Sequence, residues 1–222
     1  MLKHFTLTNV TVVALTAVTA VAVFVLLEGI GSNEPLEPWP RFVNGKRAFP
    51  NVELVNQHGE TVRFYDDLVK DRNVFVYFIY TRCEGTCVPT TLNLVQVQKL
   101  LQENIDEDVR FIAITLDPEH DQPEVLENYR EQNGAGDDWV FLTGDFREIT
   151  QLRRHLGFYD LDPEIDADKT EHASLVAYGN DRTGRWGAAP ALLPPKQVAS
   201  AALLVFAEYS KKSDPADRLA AH

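Results

Sequence analysis

The stretch NVFVYFIYTRCEGTCVP, residues 73–89, decides the fold and carries the only two cysteines of this 222-residue chain. After Asn73 it runs through seven β-branched or aromatic residues, and a strand that is apolar on both faces is typical of the centre of a sheet covered by helices. Pro89 suits the first turn of a following helix. Cys83 and Cys87 are therefore predicted to lie on a turn between a central strand and a helix, where two thiols can share a soft metal ion or cycle between dithiol and disulfide.

The segments around this stretch predict an α/β fold. Further strands are predicted at 109–115, 139–142, 173–178 and 185–188, a hairpin at 52–64, and helices from Pro89, from Pro123 to about Gln132, after Asp145 and from Pro194. Strands that alternate with helices, with one hairpin pair near the end, indicate a central mixed sheet flanked by helices. A dithiol at the end of the first central strand, at a helix N-terminus, is the thioredoxin layout.

Several local patterns predict finer detail. Asp121 to Glu124 has the pattern of a capping box, and Asp145 followed by Glu148 predicts a second helix cap. The acidic stretch 160–168 predicts a solvated loop, because it lacks the glycine and the terminal glutamate of an EF-hand. The inner face of the last helix is predicted from four residues at helical spacing: Val198, Ala202, Val205 and Tyr209.

The N-terminal part of the chain predicts a membrane anchor. Residues 5–27 are 23 positions without a charge, long enough to span a bilayer of about 30 Å. Lys3 precedes this span, while Glu28, Glu34 and Glu37 follow it, so positive-inside reasoning places the rest of the protein outside the cytoplasm. The apolar run ends without an Ala-x-Ala-like site, which favours an uncleaved signal anchor over a cleaved signal peptide.

The chain is thereby divided into five parts. We expect a cytoplasmic N-terminus at 1–4, a transmembrane signal anchor at 5–27, a linker at 28–40, a folded domain at 41–212 and a flexible tail at 213–222. The protein would span the inner (cytoplasmic) membrane once, with its soluble domain on the extracytoplasmic, periplasmic side.

The compartment also bears on the two cysteines, because two lone cysteines outside the cytoplasm usually form a structural disulfide. The loop between Cys83 and Cys87 is so short that a disulfide would restrict the unfolded chain little, which disfavours that alternative.

The net charge excludes one class of partner, and the methionine content excludes one kind of metal site. The net charge is −12 and the pI is near 4.9, so no basic patch is available to neutralise the phosphates of a nucleic acid. Met1 is the only methionine, which excludes a methionine-lined copper site.

Spacing and topology bear on whether the dithiol binds metal. A helix N-terminus stabilises thiolates for both chemistries. Three residues separate Cys83 from Cys87, one more than in redox thioredoxins, and a longer loop can hold an ion and leave a third position open. Of six histidines, His120 and His172 are the candidates for a third ligand. His172 directly precedes the fourth predicted strand, which should run antiparallel beside the dithiol strand, although an ordinary surface histidine is the alternative. Two thiolates and an imidazole suit Cu(I) or Cu(II), whereas structural zinc normally recruits a fourth protein ligand.

Three segments resemble the Sco/SenC family, whose members are membrane-anchored thioredoxin-fold proteins that bind copper and help assemble the CuA centre of cytochrome c oxidase. The segments are FIYTRCEGTCVP at 78–89, ITLDPEHDQPE at 114–124 and EHAS at 171–174, and they occur in the family's order. The resemblance implies a thioredoxin-like copper-binding domain at 41–212, with Cys83, Cys87 and His172 as the metal ligands and Asp117 as a supporting residue. Val88 stands where the family commonly has proline, and Glu171 replaces its usual aspartate.

The resemblance also implies function and partners. The protein is expected to be primarily a metallochaperone whose partners are the copper-bearing subunit of cytochrome c oxidase, a thioredoxin-like reductant or another copper carrier, and the membrane through its N-terminal helix. The alternative is a thiol–disulfide oxidoreductase that uses Cys83 and Cys87 as a redox-active dithiol. A peroxiredoxin-like peroxidase fits poorly, because neither cysteine has threonine or serine three residues before it. A non-enzymatic redox sensor is a further alternative.

Two roles are open for Arg82, which lies beside Cys83. Its guanidinium can lower the pKa of Cys83, or it can pair with a surface carboxylate.

Overall fold

A computed structural model describes residues 42–43, 46–47, 49–167 and 175–207. The predicted anchor at 5–27, the linker at 28–40, the tail at 213–222 and His172 lie outside these described residues. Within them, no helix combines the length and apolar character needed to cross a membrane.

The described residues form nine strands, five α-helices and one π-helical turn. The strands are β1 (Phe42–Val43), β2 (Lys46–Arg47), β3 (Glu53–Asn56), β4 (Thr61–Arg63), β5 (Asn73–Ile79), β6 (Val109–Thr115), β7 (Val140–Gly144), β8 (Leu175–Asn180) and β9 (Arg185–Pro190). The helices are α1 (Cys87–Gln102), α2 (Pro123–Gln132), α3 (Phe146–His155), α4 (Pro163–Ala167) and α5 (Pro195–Phe206), and the π-helical turn spans Phe64–Val69.

Seven strands build one mixed sheet in the order β4-β3-β7-β6-β5-β8-β9. Strand β5 pairs in parallel with β6, which pairs in parallel with β7, while β8 runs antiparallel to β5 and β9 antiparallel to β8. The predicted hairpin is confirmed as β3 and β4. Strands β1 and β2 form a separate antiparallel pair. The predicted central mixed sheet flanked by helices is therefore confirmed.

The two faces of β5 supply two hydrophobic cores, because successive side chains of a strand point to opposite faces. Phe75 and Tyr77 are fully buried on one face, where the ring of Phe75 stacks on Phe111 with 4.7 Å between centroids. Val74 and Val76 are fully buried on the other face. This burial on both sides explains why the run of apolar residues predicted a central strand.

The buried faces of helices α1 and α5 follow the predicted patterns with one difference. In α1, the three residues predicted at helical spacing, Leu94, Val97 and Leu101, are all buried. In α5, Val198 and Ala202 are buried as predicted, but Phe206 rather than Val205 completes the buried face. Tyr209 lies outside the described residues. Phe206 is four residues after Ala202 and so lies on the same side of the helix, whereas Val205 is only partly covered.

The predicted capping box at Asp121 is wrong, and the predicted cap at Asp145 is confirmed. Asp145 accepts hydrogen bonds from the backbone N–H groups of Arg147 and Glu148, at 2.8 and 3.3 Å. Helix α2 does begin at Pro123, but its N-cap residue is Gln122, whose side chain makes no capping hydrogen bond. The Asp121 carboxylate instead lies buried beneath the dithiol loop.

The acidic stretch 160–168 is not wholly a solvated loop, because helix α4 forms within it. Asp166 is buried and accepts a bidentate hydrogen bond from the guanidinium of Arg153 on α3, at 2.6 and 2.8 Å. Arg154 contacts the same carboxylate at 3.2 Å. The sequence pattern missed this ion pair because its cations lie on a different helix.

Strand polarity places several chain segments at one edge of the sheet. Strands β5 and β6 are parallel and end at this edge, and antiparallel β8 begins there, with Val176 opposite Tyr77. Strand β9 ends there as well, with Pro190 opposite Leu175. We call this the dithiol edge, because Cys83 and Cys87 follow the end of β5.

Candidate metal centre

The dithiol loop connects β5 to α1. The backbone N–H of Cys83 donates to the carbonyl of Tyr80 at 3.1 Å, which closes a turn directly after the strand. Cys87 is the first residue of α1, so its thiol lies in the first turn of the helix. Both cysteines are free thiols, Cys83 half-buried and Cys87 buried with 9% of its surface exposed. The predicted position between a central strand and a helix is confirmed.

The two thiols differ strongly in acidity. Burial raises the pKa of Cys83, but hydrogen bonds from the Cys87 side chain, from the backbone of Cys87 and Gly85, and from the Tyr80 side chain outweigh burial and hold this pKa below its ordinary value. Burial and the hydrogen bond with Cys83 raise the pKa of Cys87 to about 12. The pair therefore holds its protons unequally: Cys83 loses its proton at lower pH than Cys87, whose thiol donates the hydrogen bond between them.

This asymmetry suits either chemistry of a dithiol. A partly accessible thiolate is the nucleophile in disulfide exchange and the first ligand for a soft metal. The buried thiol has to lose its proton before it can also bind a metal, so metal binding at the pair releases protons. The donor set of two sulfurs fits Cu(I), which thiolates select.

Arg82 and Asp117 form an ion pair beside the dithiol. The guanidinium of Arg82 lies 2.6 Å from the Asp117 carboxylate. Of the two roles left open for Arg82, pairing with a carboxylate is thus present, although Asp117 is buried rather than on the surface. Asp117 follows β6 and lines the same cleft as the dithiol loop, and its supporting role stays a prediction.

Asp121 fixes the dithiol loop from below. Its fully buried carboxylate accepts hydrogen bonds from the backbone N–H of Thr81 at 3.0 Å, the Thr81 hydroxyl at 2.5 Å and the Thr115 hydroxyl at 2.5 Å. It thereby joins the chain that follows β5 to the chain that follows β6. Sequence reasoning missed this role, although hydroxyl residues at the ends of two neighbouring parallel strands could have indicated a shared acceptor.

A buried hydroxyl network lies behind Cys87. The hydroxyl of Thr91 donates to the Cys87 carbonyl at 3.1 Å and lies 3.2 Å from the hydroxyls of both Tyr77 and Tyr129. A hydroxyl has one hydrogen to donate and two lone pairs, so both tyrosines donate to Thr91. Sequence reasoning missed this network. Tyr77 in the predicted central strand could have indicated it, since a buried tyrosine hydroxyl needs a hydrogen-bond partner.

A cleft of about 590 Å³ opens above the dithiol loop. Its lining residues all belong to this loop or to the chain after β6: Tyr80, Arg82, Cys83, Glu84, Gly85, Thr86 and Asp117. Cys83 is therefore open to an ion or to a group presented by another molecule.

The structure brings two of the three predicted ligands together. Cys83 and Cys87 are in hydrogen-bond contact, while His172 lies outside the described residues. His120 is exposed in the turn after β6. Among the described residues, no group of three or more His, Cys, Asp or Glu side chains is arranged to hold a metal ion.

The mixed sheet, its flanking helices and the dithiol loop define a thioredoxin-like dithiol protein. A family model described as SCO1/SenC matches residues 44–202, and the chain belongs to this family. The predicted family is therefore confirmed.

Relatives with known sequence or structure agree with this assignment. The SCO1 protein homologue of Bacillus subtilis is 38% identical over 91 residues, which cover 40% of this chain and 45% of that protein. The chain also spans 63% of the length of a Stutzerimonas stutzeri relative, so it matches less than two thirds of either protein.

Two solved structures share the fold. BsSco, a member of the Sco family of cytochrome c oxidase assembly proteins in which a disulfide switch was identified, is 27% identical, with a TM-score of 0.56 and coverage of 70% of this chain and 91% of that chain. Copper-bound ScoI of Bradyrhizobium japonicum is 24% identical, with a TM-score of 0.55 and coverage of 71% of this chain and 99% of that chain.

Proposed function

We propose that this protein binds copper through Cys83, Cys87 and His172 and assists assembly of the CuA centre of cytochrome c oxidase. The single observation that carries the proposal is the pair of free, hydrogen-bonded thiols, one with a lowered pKa, beneath an open cleft. Two such sulfurs select a soft ion. Copper is bound in the structure of the Bradyrhizobium relative, and BsSco belongs to a family of oxidase assembly proteins, which supports both parts of the proposal.

His172 is proposed as the third ligand from its place in the chain. It precedes the first residue of β8 by three positions, and β8 begins at the dithiol edge. An imidazole added to two thiolates suits Cu(I) and Cu(II).

The proposal includes the setting of the protein. We infer that residues 5–27 anchor it in the inner membrane and that the domain acts on the periplasmic side. Its partners there are the copper-bearing oxidase subunit, as recipient, and a thioredoxin-like reductant or another copper carrier, as supplier. The uncharged N-terminal run and the charges that flank it support the anchor.

Copper titration of the reduced full-length chain, followed by absorption and EPR spectra, tests the proposal. We expect one copper per chain and a thiolate–Cu(II) charge-transfer band that changes in His172→Ala. His120→Ala is the matched control, because His120 is exposed in the turn after β6, and its spectrum should equal that of the wild-type protein. Absence of copper uptake would refute the proposed function, and an unchanged spectrum in His172→Ala would refute the third ligand.

The difference between the two thiols favours a second candidate function, a thiol–disulfide oxidoreductase that reduces the cysteines of the oxidase copper site or of another extracytoplasmic target. An accessible low-pKa thiol beside a buried high-pKa thiol is the arrangement of an attacking and a resolving cysteine. The two functions can coexist, since a disulfide between the cysteines must be reduced to two thiolates before these can bind Cu(I).

A comparison of His172→Ala with Cys87→Ser in cells separates the two functions. Copper delivery predicts that both variants lose assembled oxidase, whereas the redox function predicts loss only in Cys87→Ser. Oxidase activity in isolated membranes is the measurement.

A further inference from the structure

Three exposed leucines lie near one another beside the dithiol edge. Leu92 on α1 is 48% exposed, and Leu192 and Leu193, in the loop between β9 and α5, are 46% and 37% exposed. This loop belongs to the run GAAPALLPP at 187–195, which contains no polar or charged side chain. We call Leu92, Leu192 and Leu193 the leucine patch.

Asn93 holds the loop of the patch against α1. Its side-chain amide donates to the carbonyls of Ala191 and Leu193, at 2.6 and 2.8 Å. Leu92 is the neighbour of Asn93 in the helix. The loop conformation is thus fixed before any partner arrives, which lowers the entropy lost on binding.

The leucine patch and the reactive thiols lie at the same edge of the sheet and share helix α1. Leu92 is five residues after Cys87, about 7.5 Å along the axis of α1, and it shares a helix face with half-buried Val88. The loop follows Pro190, which pairs with Leu175 at the dithiol edge. A molecule whose cysteine reaches Cys83 therefore approaches the same edge of the sheet at which the loop of the patch begins.

Charge limits what such a molecule can be. The patch is uncharged in a chain of net charge −12, and the dithiol loop presents the exposed carboxylate of Glu84, while Arg82 is paired with Asp117. A partner that carries a cation next to its cysteine complements Glu84, and an apolar side chain farther along covers the leucines.

We propose that the leucine patch is the docking surface for the protein that exchanges copper or electrons with the dithiol, and that this partner presents a cysteine flanked by a basic residue and by an apolar side chain. The inference rests on the proposed function, because it requires exchange between the dithiol and a cysteine of another protein. It adds the chemistry that selects the partner.

The test uses two synthetic peptides of equal length, each with one cysteine next to a lysine. One peptide carries a leucine four residues from the cysteine and the other a serine at that position. The peptide cysteine is activated as a mixed disulfide with thionitrobenzoate. The Cys83 thiolate attacks the peptide sulfur, a bond forms between these two sulfurs, the bond to the thionitrobenzoate sulfur breaks, and the coloured thionitrobenzoate thiolate leaves.

With the reduced full-length chain, we expect the leucine peptide to react about tenfold faster than the serine peptide, since burial of part of a leucine is worth about one factor of ten. The preference should disappear in Leu192→Ser/Leu193→Ser. Leu204→Ser is the matched control, because Leu204 is 71% exposed near the end of α5 and should leave the preference unchanged.

The reagent 5,5′-dithiobis(2-nitrobenzoate), which carries no peptide and no leucine, separates this inference from the proposed function. The rate at which it reacts with the dithiol should be equal in the wild-type chain, in Leu192→Ser/Leu193→Ser and in Leu204→Ser. A chain that does not react with it at all would refute the proposed dithiol chemistry. Equal rates for the two peptides in a chain that does react would refute the docking surface alone. A wild-type dimer that the double variant dissociates in sedimentation would also refute it, because a second copy of the chain would then cover the patch.

Discussion

At the scale of single residues, the dithiol is defined by the inequality of its two sulfurs. Cys83 is half-buried with a lowered pKa, and Cys87 is buried with its pKa raised to about 12. The hydrogen bond between them lowers one pKa and raises the other. A single substitution at Cys87 can therefore change the acidity of Cys83 without touching it.

Cys87→Ala should raise the pKa of Cys83 above that in Cys87→Ser. Alanine removes the side-chain donor that stabilises the Cys83 thiolate, whereas the serine hydroxyl can still donate. The rate of Cys83 alkylation by iodoacetamide follows the thiolate fraction, so its midpoint should lie at higher pH in the alanine variant. Identical midpoints in the two variants would show that the hydrogen bond does not control this acidity.

At the scale of secondary structure elements, Thr91 joins three of them behind the dithiol. Its hydroxyl, which is fully buried, contacts Tyr77 of β5 and Tyr129 of α2 as well as the start of its own helix. The first turn of α1, and with it Cys87, is thus tied to the sheet and to a second helix. A hydroxyl that satisfies three partners is costly to remove.

Thr91→Val should destabilise the fold more than Tyr77→Phe. Valine leaves two buried tyrosine hydroxyls without an acceptor, at about 1 to 3 kcal/mol each, whereas phenylalanine removes one donor and leaves the other bonds of Thr91 in place, at about 0.5 to 1.5 kcal/mol. The free energy of unfolding from urea titrations measures both. If Tyr77→Phe proved the more destabilising variant, the assignment of Thr91 as the common acceptor would be wrong.

The ion pair of Arg153 and Asp166 attaches α4 to α3. Both side chains are almost fully buried, at 7% and 6% exposed. Hydrogen bonding to Arg153 outweighs burial and lowers the pKa of Asp166 from 3.8 to about 2. A carboxyl with a depressed pKa in the folded state adds stability above its unfolded pKa and loses this contribution as pH falls through the folded pKa.

Asp166→Asn should therefore destabilise the protein at neutral pH by about 3 to 5 kcal/mol, because the buried guanidinium of Arg153 loses its charge partner. The difference from wild type should shrink as pH falls from about 4 towards 2, where the wild-type carboxyl gains a proton. Urea unfolding across this pH range measures the effect. Asp108→Asn, an exposed aspartate, is the control and should change stability little. A difference that is constant with pH would contradict the role of the ion pair.

At the scale of the whole molecule, apolar patterns predicted the architecture and local polar patterns predicted only part of the detail. The run 74–80 predicted the central strand because burial on both faces favours apolar side chains at successive positions. Asp145 predicted its own cap because a cap bonds to backbone groups within the next three residues. The dithiol could be placed for the same reason, since it directly follows the strand.

The polar contacts beneath the site were not predictable in this way. Asp121 bonds to Thr81, 40 residues away, and Thr91 bonds to Tyr129, 38 residues away. Such pairs form only when distant elements pack together, and neither periodicity nor spacing reports which elements meet. Asp166 was misjudged for the same reason: a carboxylate in an acidic stretch is expected in solvent unless a buried arginine from another helix reaches it.

Copper K-edge X-ray absorption of the full-length chain loaded with one equivalent of copper tests the central claim most directly. The proposed site predicts a first shell with two sulfurs, from Cys83 and Cys87, and one imidazole nitrogen, from His172. The shell should have one sulfur in Cys87→Ser and no imidazole in His172→Ala. A wild-type shell made of nitrogen and oxygen alone would contradict the claim that this dithiol is a copper site.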